Sequence, residues 1–407
     1  MNGIEILMGI LSIIIGYLLG SILPAYLFGK LKGIDIREEG TKNAGTANAF
    51  RVLGLPYAIP TALYDTLKGL LAILIASYVM TGSPPELAFI FMQISGLFAI
   101  VGHVFPFYLK FRGGQGNATA TGLLLFYLVN YINAGPEIFY VLIFLMILVA
   151  IFTYISKAGS LLPVLLFPLL GYSVFINYPE SPFNIFFCIV LLHIATIGMY
   201  KVITEKKLVI TDEEFLSRWW RVAIRPVALL FLLFYFIFSQ AVAVALSGIV
   251  CLCFIALDIS RFLSKQTQEL LTVKVKSIFR KGEEKKFSSM TIFLISTFIV
   301  ILIFEIEIAI TALVFLTFGD MYSKIFGLAY GRHKLFDKTI EGTLAYIGCV
   351  ITCGYIIFTA MDISLIVLII GGIAATFSEF FPLGMNDNFT VPIISSAAMF
   401  LAVFFGL

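Results

Sequence analysis

The chain has 407 residues, 60% of them hydrophobic and only 13% charged, with a formal net charge of +3. At a mean hydropathy of +1.03 it carries too much apolar surface for a water-soluble globule, so an all-α polytopic membrane protein is expected. The small positive balance, scattered over separate loops, excludes a nucleic-acid partner and reads as a topology signal.

At about 20 residues per crossing, the apolar runs accommodate about 13 or 14 transmembrane helices in two halves. The first run, Ile6 to Phe28, reads as one retained span, being too long for a signal peptide and lacking a basic leading segment and a small-residue cleavage site. The loops then alternate in charge. Lys30 to Arg51, Lys110 to Arg112, the surroundings of Lys157, Lys201 to Arg225, Arg261 to Lys286 and Lys324 to Lys338 are basic, and those between are not. The positive-inside rule therefore places the basic loops in the cytoplasm and the amino terminus outside, in a protein of the cell membrane. Cys188, Cys251, Cys253, Cys349 and Cys353 lie in apolar runs without the company a zinc site requires and read as packing thiols. A densely charged stretch, Thr204 to Asp212, divides residues 1–207 from 208–407. Beyond it, Arg218-Trp219-Trp220-Arg221 reads as an interfacial helix, and Lys265 to Lys286 as a solvated or lipid-surface loop. The spans read as nearly free of charge at their centres, which ranks a transporter last.

Three loops on the cytoplasmic face of the first half carry chemistry. Asp35 to Arg51 is crowded with amides, hydroxyls and small residues that can hold phosphate and carbonyl oxygens. Asp65-Thr66-Leu67-Lys68-Gly69 puts an acid and a base at the expected cytoplasmic end of the second span. Gly102 to Thr119 contains Gly113-Gly114-Gln115-Gly116 beside Lys110 and Arg112. Three glycines in four positions let backbone N–H groups converge on an anion, and the cations add charge at the same place. Together these loops point to phosphate binding at a bilayer face.

These segments, with Gly20-Ser21 and Gly29-Lys30, resemble the bacterial acyl-phosphate:glycerol-3-phosphate acyltransferase family over residues 1 to about 207. The resemblance implies a seven-span enzyme that moves a fatty acyl group from acyl phosphate to glycerol 3-phosphate, making lysophosphatidic acid at the cytoplasmic face. It implies that Thr41, Asn43, Gly45, Asn48 and Arg51 form the first loop, that Lys68 and Arg112 neutralise phosphate, and that Gly113, Gly114 and Gly116 wrap one. His103 would orient substrate, and Ser160 looks like the end of a third short motif; with Asn43 these make the catalytic set. Acyl phosphate already has a good leaving group, so such a site works by positioning and charge compensation, with no enzyme nucleophile, metal or cofactor. Gly40-Thr41-Lys42-Asn43 departs from the family's Gly-Ser-Gly-Asn, Ala47-Asn48 from Thr-Asn, Gln115 from lysine and Asn117 from a small apolar residue. Thr41 keeps a hydroxyl and Lys42 restores a charge, which describes a compensated site.

In the second half, Gly319 to Thr343 combines an acid-led start, several glycines and a basic cluster, the elements a nucleoside triphosphate with Mg²⁺ requires. With Ala374 to Glu379 and Asn386 to Pro392 it is similar to the CTP-dependent dolichol and phytol kinase family, itself related to phosphatidate cytidylyltransferases, over about residues 212–407. The resemblance implies CTP and Mg²⁺, with Asp320 catalytic and Asp320, Glu379 and Asp387 as metal carboxylates. Lys324, Gly331, Arg332, His333, Lys334, Lys338 and Thr339 would be phosphate partners. Asp258 and Arg261, three apart on one helical face, would join the same site. Arg221 to Pro226 stands where the kinase pattern has a basic pair followed by histidine. The leading expectation is a fused lipid enzyme with glycerol 3-phosphate, acyl phosphate and membrane lipids as partners. A second reading makes only the kinase-like half catalytic and the first half a lipid-binding scaffold.

Overall fold

The computed structural model describes residues 3–213, 225–264 and 286–407. Arg218 to Arg221 and most of the Lys265 to Lys286 segment lie outside the described residues, as does most of Arg221 to Pro226. Apart from one small hairpin, the described residues form helices joined by short loops, since hydrocarbon offers no water to backbone groups. In chain order the helices are α1 Gly3–Ser21, α2 Pro24–Leu31, α3 Thr46–Leu53, α4 Leu55–Val79, α5 Pro85–Val104, α6 Asn117–Ala134, α7 Glu137–Ser156, α8 Leu161–Asn177 and α9 Asn184–Thr204. They continue with α10 Leu229–Ile237, α11 Gln240–Leu263, α12 Ser289–Ile303, α13 Ile306–Tyr330, α14 Ile340–Ala360, α15 Leu365–Phe380 and α16 Asp387–Phe404. Among the described residues nine helices are long and apolar enough to cross a membrane, and α8, α12 and α15 are shorter apolar helices. These helices, with α6, are those of the expected all-α polytopic membrane protein. Two compact units result, Met1–Val149 with Ala158–Lys207, and Ala150–Lys157 with Leu208–Leu407.

In the first unit α1 packs backbone to backbone on α5. A Cβ built at Gly16 would strike Ser95 O, one at Gly20 would strike Ala99 O, and one at Gly102 would strike Tyr17 O. Small residues permit this approach where helices associate by packing rather than by the hydrophobic effect. The run Ile6 to Phe28 is not one span. α1 ends at Ser21, and α2 opens on Pro24, whose ring supplies no N–H to the Gly20 carbonyl four residues earlier. The break leaves a row of carbonyls unpaired by the helix.

α4 starts directly after Gly54, so Asp65 and Lys68 sit mid-helix, roughly 15 and 20 Å from its start, rather than at its end. Both are fully buried. The expectation of span centres nearly free of charge is corrected by this pair.

The second unit packs around Phe293, Leu294, Phe315, Leu316, Tyr346 and Val350. Its hairpin joins α13 to α14, with β1 Lys334–Leu335 antiparallel to β2 Lys338–Thr339 in the register Lys334 to Thr339 and Leu335 to Lys338. All five cysteines are free thiols; Cys251 and Cys349 are buried, while Cys253 is exposed.

Gly20→Leu drives a side chain into the α5 backbone and is expected to destabilise the first unit by roughly 1–3 kcal/mol. Earlier thermal unfolding in detergent is the readout, and an unchanged transition contradicts the α1–α5 packing described.

Candidate active site

Four successive carbonyls at the end of α1 are claimed by side chains. Tyr64 Oη donates to Leu19 O (2.9 Å), Lys68 Nζ to Gly20 O (2.9 Å), Tyr108 Oη to Ser21 O (2.8 Å) and Lys68 Nζ again to Ile22 O (3.2 Å). The same ammonium donates to Asp65 Oδ1 (2.8 Å) and lies 2.7 Å from His103 Nδ1. Asp65 Oδ1 is 3.4 Å from that nitrogen. Lys68 is therefore not available to a phosphate, contrary to expectation: it is fully buried, and its protons are taken by carbonyls, a carboxylate and an imidazole.

His103, on the last turn of α5, touches the glycine loop. A Cβ built at Gly114 would collide with His103 Nε2, lie 2.9 Å from Cδ2 and 3.3 Å from Ala44 O. The amides of Gly113 and Gly114 donate to Val104 O and His103 O, both at 3.0 Å, closing the end of α5. These two amides are already spent, so the glycines serve close approach here rather than anion donation, which corrects the expected role of both. The N–H groups left for an anion lie further along. Gly116, left-handed at φ +73°, opens α6 with no side-chain cap, and the first turn of a helix presents free amides and a positive dipole end.

Buried polar atoms without partners accompany this loop: Thr46 Oγ1 at the start of α3, Asn117 Oδ1 and Thr119 Oγ1 in the first turn of α6, and Ser160 Oγ just before α8. One continuous set of contacts links their segments. Ala44 meets Gly114, and His193 Nε2 on α9 lies 3.0 Å from Gln115 O. Gly198, further along α9, approaches Ser160 O. Unsatisfied buried polar groups are costly, and Asn117 and Thr119 sit in the first turn of an uncapped helix, a place where a ligand with donors and acceptors could satisfy them.

The first loop is held by Asn48 and Arg37. Buried Asn48 accepts from Thr41 N (2.8 Å) and donates to Ile36 O (2.8 Å) and Glu39 O (3.0 Å). Arg37 pairs with Asp35 (2.6 and 3.0 Å) and donates to Leu109 O (3.3 Å) and Arg112 O (3.1 Å), clamping this loop to the next. The guanidinium hydrogen bond holds the Asp35 carboxyl below its ordinary value of 3.8. Asn43 and Gly45 are half-buried beside one another, while Thr41, Lys42, Arg51, Lys110 and Arg112 are exposed. The sequence reading included Thr46 and Thr119 in two of its loops without singling them out, and placed His193 only in a loosely recognisable last motif. The available signal was a hydroxyl directly inside a glycine-opened helix start in the first two cases.

In the second unit, Lys338 Nζ bridges Glu379 Oε1 (2.9 Å) and Asp387 Oδ2 (2.7 Å), and Ser323 Oγ donates to Glu379 Oε1 (2.8 Å). Burial alone would lower the Lys338 pKa, but the two carboxylates outweigh it and raise it. Lys324 Nζ binds Asp320 Oδ2 (2.6 Å). Each of Asp320, Glu379 and Asp387 is thus paired with a lysine, and among the described residues no three His, Cys, Asp or Glu are grouped as they would be around a metal ion. Arg332 is turned away from phosphate duty, its side chain donating to Ile155 O (3.0 Å) and its amide to Glu341 (3.0 Å). His333 Nδ1 pairs with Glu341 (2.7 Å), Thr339 caps α14 through Gly342 N (3.1 Å), and Gly331 ends α13. Lys334 is exposed on β1. Asp258 serves a different purpose, accepting from Arg261 (2.8 Å), Ser288 N (2.8 Å) and Thr291 (2.7 Å) to pin α11 to the start of α12.

Fold and site define an integral membrane protein whose first unit brings helix starts and polar side chains to a glycine loop. A family model for glycerol-3-phosphate acyltransferase matches residues 10–206. The glycerol-3-phosphate acyltransferase of Bacillus subtilis (strain 168) is 42% identical over 136 residues, 33% of this chain and 67% of that one. Its counterpart in Shouchella clausii is 36% identical over 196 residues, 47% of this chain and 88% of that one. A crystal structure of PlsY (YgiH), an integral membrane glycerol 3-phosphate acyltransferase in its glycerol 3-phosphate form, is 26% identical, with a TM-score of 0.34 and coverage of 48% of this chain and 89% of that one. The chain belongs to the glycerol-3-phosphate acyltransferase family.

Because Asp35 is held below its unfolded value, the Arg37 clamp contributes stability above pH 3.8 and loses it as pH falls through the lowered value. Thermal unfolding of Asp35→Asn and the parent should differ at neutral pH and converge in acid. A gap that persists undiminished in acid rules the clamp out. Asn48→Ala strands three backbone groups and is expected to cost about 1–3 kcal/mol, seen as faster proteolysis within residues 35–51.

Proposed function

We propose that the first unit transfers a fatty acyl group from acyl phosphate to glycerol 3-phosphate, giving lysophosphatidic acid at the cytoplasmic face. The observation that carries this is the glycine loop seated on His103 and opening α6 uncapped, with Asn117 Oδ1 and Thr119 Oγ1 buried and unpartnered in that first turn; Thr46 Oγ1 and Ser160 Oγ are likewise buried and unpartnered in the segments that touch the loop and α9. Glycerol 3-phosphate offers hydroxyl donors and phosphate acceptors, which suits a mixture of hydroxyls, an amide and free helix-start N–H groups. The acyl phosphate brings its own leaving group, so holding two phosphorylated substrates in line supplies the acceleration without an enzyme nucleophile, metal or cofactor. Exposed Arg112, Lys110 and Lys42 on the basic loops favour anion approach from the cytoplasm, with the amino terminus outside. Purified protein in nanodiscs, given palmitoyl phosphate and labelled glycerol 3-phosphate without nucleotide or metal, should form labelled lysophosphatidic acid. Gly114→Leu, which collides with His103, should cut the rate by about 100-fold or more. No product from either acyl phosphate or acyl-CoA, with folded protein, overturns the proposal.

We propose separately that the second unit performs CTP-dependent phosphoryl or cytidylyl transfer to a membrane lipid. Support comes from Lys338, partly exposed between Glu379 and Asp387, and from the buried, unpartnered Glu379 Oε2 and Tyr346 Oη in the same unit. Labelled CTP should transfer label to bilayer lipid, and Lys338→Met should abolish the transfer. Lipid left unlabelled by both γ- and α-labelled CTP contradicts this reading.

A further inference from the structure

Four neighbours share the three N–H bonds of the Lys68 ammonium, the longest contact being that to Ile22 O, and one of them is a ring nitrogen. Asp65 Oδ1, Gly20 O and Ile22 O are oxygens that take hydrogen bonds in any state. His103 Nδ1, at 2.7 Å, can stand beside a protonated amine only by presenting its lone pair, since a hydrogen there would face an N–H head on. Its alternative partner, Asp65 Oδ1, is further away at 3.4 Å. The ring hydrogen is thereby placed on Nε2, the atom that a side chain at position 114 would strike. The loop cannot drift from that nitrogen, because Gly114 N donates to the carbonyl of His103 itself (3.0 Å).

We propose that Lys68 and Asp65 are positioning residues that hold His103 as the Nε2–H tautomer and aim this hydrogen at the substrate on the glycine loop. His103 then acts as a hydrogen-bond donor to phosphate or developing oxyanion. With the Nδ1 lone pair engaged by Lys68, the ring has none left to take a proton from the glycerol hydroxyl, so it is not a general base. The inference rests on the acyl-transfer reading of this unit for its kinetics, but not for its geometry.

Nitrogen-15 NMR of histidine-labelled protein in nanodiscs reads the geometry directly, with the His103 signals assigned by their loss in His103→Gln. An unprotonated Nδ1 and a protonated Nε2 are expected at neutral pH. A protonated Nδ1 overturns the proposal, whether or not the protein transfers acyl groups. Kinetics read the role. Glutamine keeps an N–H donor but cannot accept a proton, so His103→Gln should retain acyl transfer within about 10-fold of the parent, whereas His103→Phe should lose about 100-fold. Lys68→Met should lower kcat by a similar factor, leave KM for glycerol 3-phosphate within about three-fold, and add little to His103→Phe when combined. Equal losses in His103→Gln and His103→Phe make His103 a base and overturn the assignment. Multiplicative losses in the double variant uncouple Lys68 from it. If Lys68→Met does not fold, the NMR result on the parent protein still decides.

Discussion

A lysine ammonium buried in the middle of a membrane helix is the constraint from which the rest of the first unit follows. Burying a charge is expensive unless every proton finds a partner. Lys68 finds its partners at the break between α1 and α2, where Pro24 leaves the Gly20 carbonyl without its helical donor, and at Asp65 one turn away. The break needs the lysine to satisfy its carbonyls, and the lysine needs the break to be buried at all. Tyr64 and Tyr108 complete the arrangement at Leu19 and Ser21. The glycine contacts between α1 and α5 then bring the end of α5, with His103, within reach of the same ammonium.

From that anchor the loop chemistry is built outward. The end of α5 is closed by Gly113 and Gly114, the loop turns at Gly116, and α6 begins with its amides unclaimed by any side chain. A phosphate ester fits such a place because helix starts favour negative charge and the nearby hydroxyls are unsatisfied. The reaction class needs little more. Alignment of two substrates accounts for a large share of the barrier in transfers with a good leaving group, and a rigid donor set supplies most of the remainder.

Much of this was legible in the sequence, since glycine density, basic residues and amides in three loops are local features. What escaped reading depended on where helices start and stop. Hydropathy merged α1 and α2 because isoleucine and leucine continue across Leu23-Pro24, although the proline itself was the available signal. Asp65 and Lys68 were placed at the cytoplasmic end of the second span as part of the phosphate-handling set, and only the start of α4 at Leu55 moves them inward. The expectation that Gly113 and Gly114 would donate to phosphate failed for a related reason: the preceding helix end has its own unpaired carbonyls to satisfy. In the second unit the spacing of Asp258 and Arg261 was read correctly as a shared helical face, but their partners are Ser288 and Thr291, which no spacing reveals.

The most direct measurement is an experimental structure of the protein with glycerol 3-phosphate bound. The phosphate is expected at the glycine loop, with the ligand within hydrogen-bond distance of at least two of Thr46, Asn117, Thr119 and Ser160, and with His103 Nε2 facing it. A ligand seated instead in the cleft lined by Asn130, Tyr178 and Ser181, or beside Lys338 in the second unit, would contradict it.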